Sequence, residues 1–194
     1  PTGQALCVVI ESDGNNEIDE SVKPKPDIET LSKDEILKII REAGITGMGG
    51  ATFPTHVKLS PPPDKEIDAF ILNGAECEPY LTSDHRLMLE NPEMIVYGMK
   101  AMMKAVNVKT GYIGIESNKP DAIKAMEDAV KDEEGISVVP LKVKYPQGAE
   151  KQLIYACTKR EVPSGKLPME VNVVVNNVGT AAAVGEAFIK GMPL

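Results

Sequence analysis

The chain has 194 residues, 42% of them hydrophobic and 26% charged, with a net charge of −8, five Tyr, three Phe and no Trp. That length carries one sizeable core. An acidic chain poor in aromatics lacks the basic face and stacking platform of a nucleic-acid reader, and its charge opposes docking on anionic lipid. No apolar run reaches bilayer-spanning length, so no direct membrane insertion is expected, and no secretory pattern is present. Cys7, Cys77 and Cys157 are far apart, with no Cys-x-x-Cys, and His56 and His85 have no partners at ligand spacing. No disulfide framework and no metal site are therefore expected, and a reducing, cytoplasmic location is the expectation.

The first strand candidate runs from Ala5 to Glu11 around Val8-Val9-Ile10. A polar stretch from Ser12 to Thr30 follows and reads as loop or linker. Residues 1–30 are thus expected to be a remnant of a preceding β domain plus linker, and residues 31–194 the main domain. Ser32 to Ala43 reads as a helix, with Ser32 as N-cap, Glu35 closing a capping box and Gly44 ending it. A glycine-rich loop, Gly47-Met48-Gly49-Gly50-Ala51-Thr52-Phe53-Pro54-Thr55, comes next, and Pro61-Pro62-Pro63 bars regular structure. Strands are then expected at 67–72, 112–115, 136–143 and 171–175. Helices are expected at 93–106 after Pro92, 121–131, 150–157 and 181–190. This alternation predicts an α/β fold: a parallel four-stranded sheet flanked by helices.

In such sheets ligands bind outside the carboxyl ends of the strands. All four ends are polar here: Asn73-Gly74-Ala75-Glu76-Cys77-Glu78, Glu116-Ser117-Asn118, Lys144 to Glu150, and Asn176-Asn177-Val178-Gly179-Thr180. Each alone reads as a solvated loop with helix caps; four on one edge point to a site. The glycine-rich loop follows a helix rather than a strand, so it is no dinucleotide fingerprint, and it lacks the ending of a P-loop. It reads equally as a tight turn or as bare backbone facing a phosphate or a flat ring, with Lys58 near enough in sequence to add a positive charge. Met99, Met102 and Met103 read as helix core.

The runs Gly44 to Leu59, Asn73 to Tyr80, Tyr145 to Leu153 and Asn176 to Thr180 strongly resemble the C subunit of Rnf-type electron-transport complexes, and the resemblance covers residues 31–194. The same segments are more distantly similar to the flavin-binding subunit of respiratory complex I. The resemblance implies an FMN-binding α/β domain that exchanges hydride with NAD(H). Carried over to this chain, Gly47, Gly49, Gly50, Lys58, Asn73, Glu76 and Glu78 border the flavin. Phe53 meets the NADH adenine. Gly148 and Glu150 follow the third strand, with Glu78 and Glu150 near the nicotinamide. Asn176, Asn177 and Thr180 lie beside the FMN phosphate. No side chain is required as general acid or base, since the flavin itself carries the hydride.

Two positions depart from the complex I pattern. Ala75 stands where that subunit has Asp, and Gly148-Ala149-Glu150 stands where it has Gly-Glu-Glu. Rnf C subunits also carry two [4Fe-4S] clusters, whose cysteines this chain lacks, so the clusters are expected only in the full-length subunit. The resemblance therefore implies a flavin domain of an NADH-linked oxidoreductase. Its partners would be the other subunits of a membrane electron-transport complex, and it would sit at the cytoplasmic face of the membrane. A cobalamin reductase of the same build, and a docking scaffold that binds no flavin, are the alternatives. Glu78 and Glu150 are expected to converge on one cleft.

Overall fold

Short Val- and Ile-rich segments buried on both faces form parallel strands. In the computed structural model, which describes residues 6–15 and 17–194, four of them build one sheet: β1 (Ala69–Asn73), β2 (Gly111–Glu116), β3 (Ile136–Leu141) and β4 (Val173–Asn177). The order is β3-β2-β1-β4, and every pairing is parallel. Phe70 lies opposite Gly111 on one side and Val174 on the other. The chain thus steps from β1 outward to β3, then returns to place β4 against the free side of β1.

The helices are α1 (Lys33–Glu42), α2 (Thr55–Lys58), α3 (Ser83–Glu90), α4 (Pro92–Val106), α5 (Pro120–Val130), α6 (Glu150–Thr158) and α7 (Val178–Ile189). Alternation along β1 divides the core in two. Phe70 and Leu72 join Ile36, Met88, Met99, Met102, Met126 and Phe188 from α1, α3, α4, α5 and α7. Ala69 and Ile71 join Leu153 and Ile154 of α6. The Met run of α4 is core, as its spacing implies.

Helix ends follow local chemistry. Ser32 and Glu35 make the expected capping box on α1, and Gly44 adopts φ +71°. Asn107 closes α4 in the left-handed region at φ 59°. β4 begins two residues later than expected, because Pro168–Val171 forms a 3-10 turn and Asn172 is left-handed. α7 begins earlier than expected, at Val178, because the Asn177 side chain caps it by accepting the Gly179 N–H.

Four features depart from the sequence expectation. Of the proposed first strand, Ala5 lies outside the described residues; Leu6 to Glu11 form no strand, and Leu6, Val8, Val9 and Ile10 are exposed. An isolated strand has no ladder to hold it. α3 was not legible, because its N-terminus is capped from a distance. The Glu76 carboxylate accepts the Ser83 hydroxyl at 3.0 Å and the backbone N–H groups of Asp84 and His85 at 3.0 and 3.2 Å. α2 is a single turn entered through Pro54. Within the stretch expected to be linker, the Lys25 N–H donates to the Phe188 carbonyl at 2.7 Å, and Ile28 is buried in the core.

Burial on the α6 side pushes the Cys157 thiol up to about 11, partly offset by Lys159. At pH 8 only about one molecule in a thousand then carries the thiolate. A thiol reagent is expected to consume the exposed Cys7 first and to react with the partly buried Cys157 far more slowly. Equal reaction rates of the two thiols in the folded protein would contradict this.

Candidate functional site

The strand order reverses between β1 and β4, and open α/β sheets bind ligands at such switch points. A cleft of about 340 Å³ opens there, within the range of small-molecule sites. The glycine-rich loop forms one wall with Gly47, Gly49, Gly50 and Phe53. Lys58 enters from α2, Asn73 from the end of β1, and Gly148 and Glu150 from the turn before α6. Asn176, Asn177 and Thr180, at the end of β4 and the start of α7, form the floor. Met48, Ala51 and Val175 also line the cleft and were not foreseen.

Backbone hydrogen bonds shape the loop. Thr46 pairs with Pro54 in an antiparallel bridge, and the Gly47 N–H donates to the Phe53 carbonyl at 2.9 Å. The Met48 N–H donates to Thr180 Oγ1 at 3.0 Å, which ties the loop to the start of α7. Among the described residues, the N–H groups of Gly49, Gly50, Ala51 and Thr52 donate to no protein acceptor. Successive free amides in a turn make an anion-binding concavity.

The two central glycines differ. Gly49 has φ +73°, and a Cβ there would fall 2.8 Å from Asn177 Nδ2. A Cβ on Gly50 would meet nothing within 4 Å. Gly49 is therefore a glycine for the fold, whereas the bare surface at Gly50 belongs to the cleft.

The floor holds an orphaned donor. Asn176 is 4% exposed, and its Nδ2 has no hydrogen-bond partner. Buried amides are nearly always paired, so this unpaired Nδ2 is an exception in a residue that lines the cleft. Its neighbours are occupied. Asn73 Nδ2 donates to the Gly148 carbonyl at 2.9 Å, and Asn73 Oδ1 accepts the Ala75 N–H at 3.1 Å. Lys58 Nζ lies 3.0 Å from Glu150 Oε1, both side chains being partly exposed. Phe53 stands half-exposed at the rim.

Glu76 and Glu78 lie elsewhere. Both line a second cavity of about 480 Å³, over the ends of β1, β2 and β3, together with His85, Glu116, Lys119 and Tyr145. The expected convergence of Glu78 with Glu150 on one cleft is not what the structure has. Glu78 and Glu150 line two neighbouring cavities, and the Glu76 carboxylate is engaged in capping α3. Beneath this second cavity lies a buried ion pair, Lys119 Nζ to Glu116 Oε2 at 3.5 Å, with Lys119 also donating to the Glu76 carbonyl at 3.0 Å.

Residues 40–186 match the family model described as the Nuo51 FMN-binding domain, Complex1_51K. The chain belongs to this family. It is 56% identical over 191 residues to the C subunit of the Na(+)-translocating ferredoxin:NAD(+) oxidoreductase complex of Acetobacterium woodii, covering 98% of this chain and 43% of that protein. It is 41% identical over 196 residues to the C subunit of the ion-translocating oxidoreductase complex of Vibrio cholerae, covering 100% of this chain and 25% of the relative. The chain thus spans less than half the length of these relatives. Among solved structures, an NAD+-reducing [NiFe]-hydrogenase in the air-oxidized state aligns with TM-score 0.70 and 26% identity, over 84% of this chain and 31% of that one. Among the described residues no helix is long and apolar enough to cross a membrane.

Proposed function

We propose that this chain is the flavin domain of an Rnf-type C subunit, which exchanges hydride with NAD(H) through FMN. Electrons would then pass to iron–sulfur centres, two [4Fe-4S] clusters, in other parts of the longer protein. The protein would serve a membrane electron-transport complex from the cytoplasmic face. The observation that carries the reading is the row of amides without protein acceptors, Gly49 to Thr52, in the loop that walls the cleft at the β1–β4 switch point. Membership of the FMN-binding family and the names of the relatives support it.

The residues present fit such a group. The loop amides and Lys58 supply donors and charge for a phosphate, and the open face of Gly50 admits a flat or anionic group at backbone distance. Asn176, whose Nδ2 has no protein partner, would lie beside the group on the cleft floor. Phe53 offers an apolar face to the adenine of NADH, and the Glu150 carboxylate opposes a cofactor bearing an extra 2′-phosphate. FMN, when bound, supplies the two-electron acceptance of hydride and the single-electron release that no side chain here provides.

Purified chain incubated with FMN and then gel-filtered is expected to retain a flavin absorbance band. A colourless protein after reconstitution would support the scaffold alternative instead. Lys58→Ala is expected to weaken FMN binding about tenfold, about 1.4 kcal/mol. The loss has two parts: the cation goes, and Glu150, its partner at 3.0 Å, is left uncompensated in the cleft. The double variant Lys58→Ala/Glu150→Gln should recover part of it. A titration in which Lys58→Ala binds FMN as tightly as the wild type would remove Lys58 from the site.

A further inference from the structure

One cleft residue is held from behind by a group that does not line the cleft. Asn177 Nδ2 donates to Asp84 Oδ2 at 2.7 Å and lies 3.4 Å from the Asn73 carbonyl, while Asn177 Oδ1 accepts the Gly179 N–H at 2.7 Å. The two ends of an Asn amide are alike in shape, so an unsupported amide turns over readily. A carboxylate only accepts, and it therefore selects the orientation that leaves Oδ1 on the Gly179 N–H. Gly49 packs against that same amide, and Thr180, in the first turn of α7, holds the Met48 N–H. The orientation of a single amide thus sets the start of α7 and the seat of the glycine loop together.

Asp84 is itself fixed. Its backbone N–H lies on Glu76, whose carboxylate also takes the His85 N–H and the Ser83 hydroxyl. Burial raises the Asp84 pKa, the nearby Glu76 and Glu78 charges add to this, and the Asn177 hydrogen bond and Lys119 oppose it. A carboxylate kept partly out of water among like charges is a costly choice for a position that only packs. A strong acceptor aimed at one amide explains it.

We propose that Asp84 is a positioning residue of the flavin cleft, holding the Asn177 amide so that α7 and the glycine loop present their N–H groups to the flavin phosphate. This rests on the flavin reading above. The test is titration of FMN into this chain, followed by flavin fluorescence, for the wild type, D84A, D84N, N177A and D84A/N177A, with thermal unfolding of each FMN-free protein. D84A is expected to weaken binding about tenfold, in the range for a charge-assisted hydrogen bond. D84N, whose amide oxygen still accepts, recovers most of that loss. In the N177A background D84A changes the affinity less than about twofold, because the pair acts as one unit. A full-sized D84A loss in the N177A background, or a D84N protein no better than D84A, overturns the proposal, as does a lowered unfolding temperature with unchanged affinity. A wild-type chain that takes no FMN overturns the flavin reading instead. Asp84 is then judged with inorganic phosphate: a phosphate-induced shift of the Asn177 side-chain amide resonances that D84A abolishes supports its positioning role, and one that D84A leaves intact overturns it.

Discussion

Gly50→Val is expected to lower FMN affinity about a hundredfold, about 2.7 kcal/mol, and to leave the unfolding temperature of the FMN-free protein unchanged. No protein atom lies within 4 Å of a Cβ at this position, and its backbone is outside the left-handed region, so the valine enters at no cost to the fold. Its bulk projects into the cleft, where a ligand must lie against bare backbone, and such overpacking costs about 1–3 kcal/mol. Gly49→Ala is the contrasting control. With φ +73° and Asn177 Nδ2 at 2.8 Å, alanine there strains the loop and should destabilise the FMN-free protein. Calorimetry of both variants, with and without FMN, separates the two roles. Should Gly50→Val lower the unfolding temperature sharply and bind FMN normally, both glycines serve the fold and the ligand reading of the loop is lost.

Gly98→Ala is expected to destabilise the protein by about 3 kcal/mol. Its sign is diagnostic, since Gly→Ala inside a helix ordinarily stabilises by about 0.5–1 kcal/mol. Gly98 lies in α4 where that helix crosses α7, and a Cβ there would overlap the Ala181 carbonyl oxygen. A Cβ on Gly185 of α7 would likewise overlap the Met94 carbonyl oxygen, so the two backbones approach closely at two small residues. A methyl group forces α7 outward. Because the first turn of α7 carries Thr180, and Asn177 caps it, the same substitution should also weaken FMN binding. Urea unfolding measures the first effect and flavin titration the second. A variant as stable as the wild type would mean that the helices do not meet as closely as described.

These two glycines also mark where sequence reasoning ended. Gly50 stood in a run that read equally as a tight turn or as bare backbone facing a ligand. Gly98 sat unremarked inside a helical pattern, because nothing local tells that another backbone will lie against it. The same division runs through the site. The polar strand ends were recognisable one by one, and the loop, Lys58, Asn73, Gly148, Glu150 and the Asn176–Thr180 run do line one cleft. Glu78 was expected with them because it too follows a strand end, yet it lines the neighbouring cavity.

The four strands of the sheet, their parallel pairing and most boundaries of the expected helices were determined by the sequence alone, because continuous apolar runs, proline entries and capping residues act over a few positions. Tertiary structure alone decided what depends on contacts across the chain. α3 exists because Glu76 caps it from outside the helix. Gly49 is required by Asn177, more than a hundred residues away in the chain. Asp84 reaches the cleft only through that same amide. Hydrogen bonds and close backbone approaches between segments leave no periodicity in sequence, so they become visible only when the strands are ordered and β4 closes against β1.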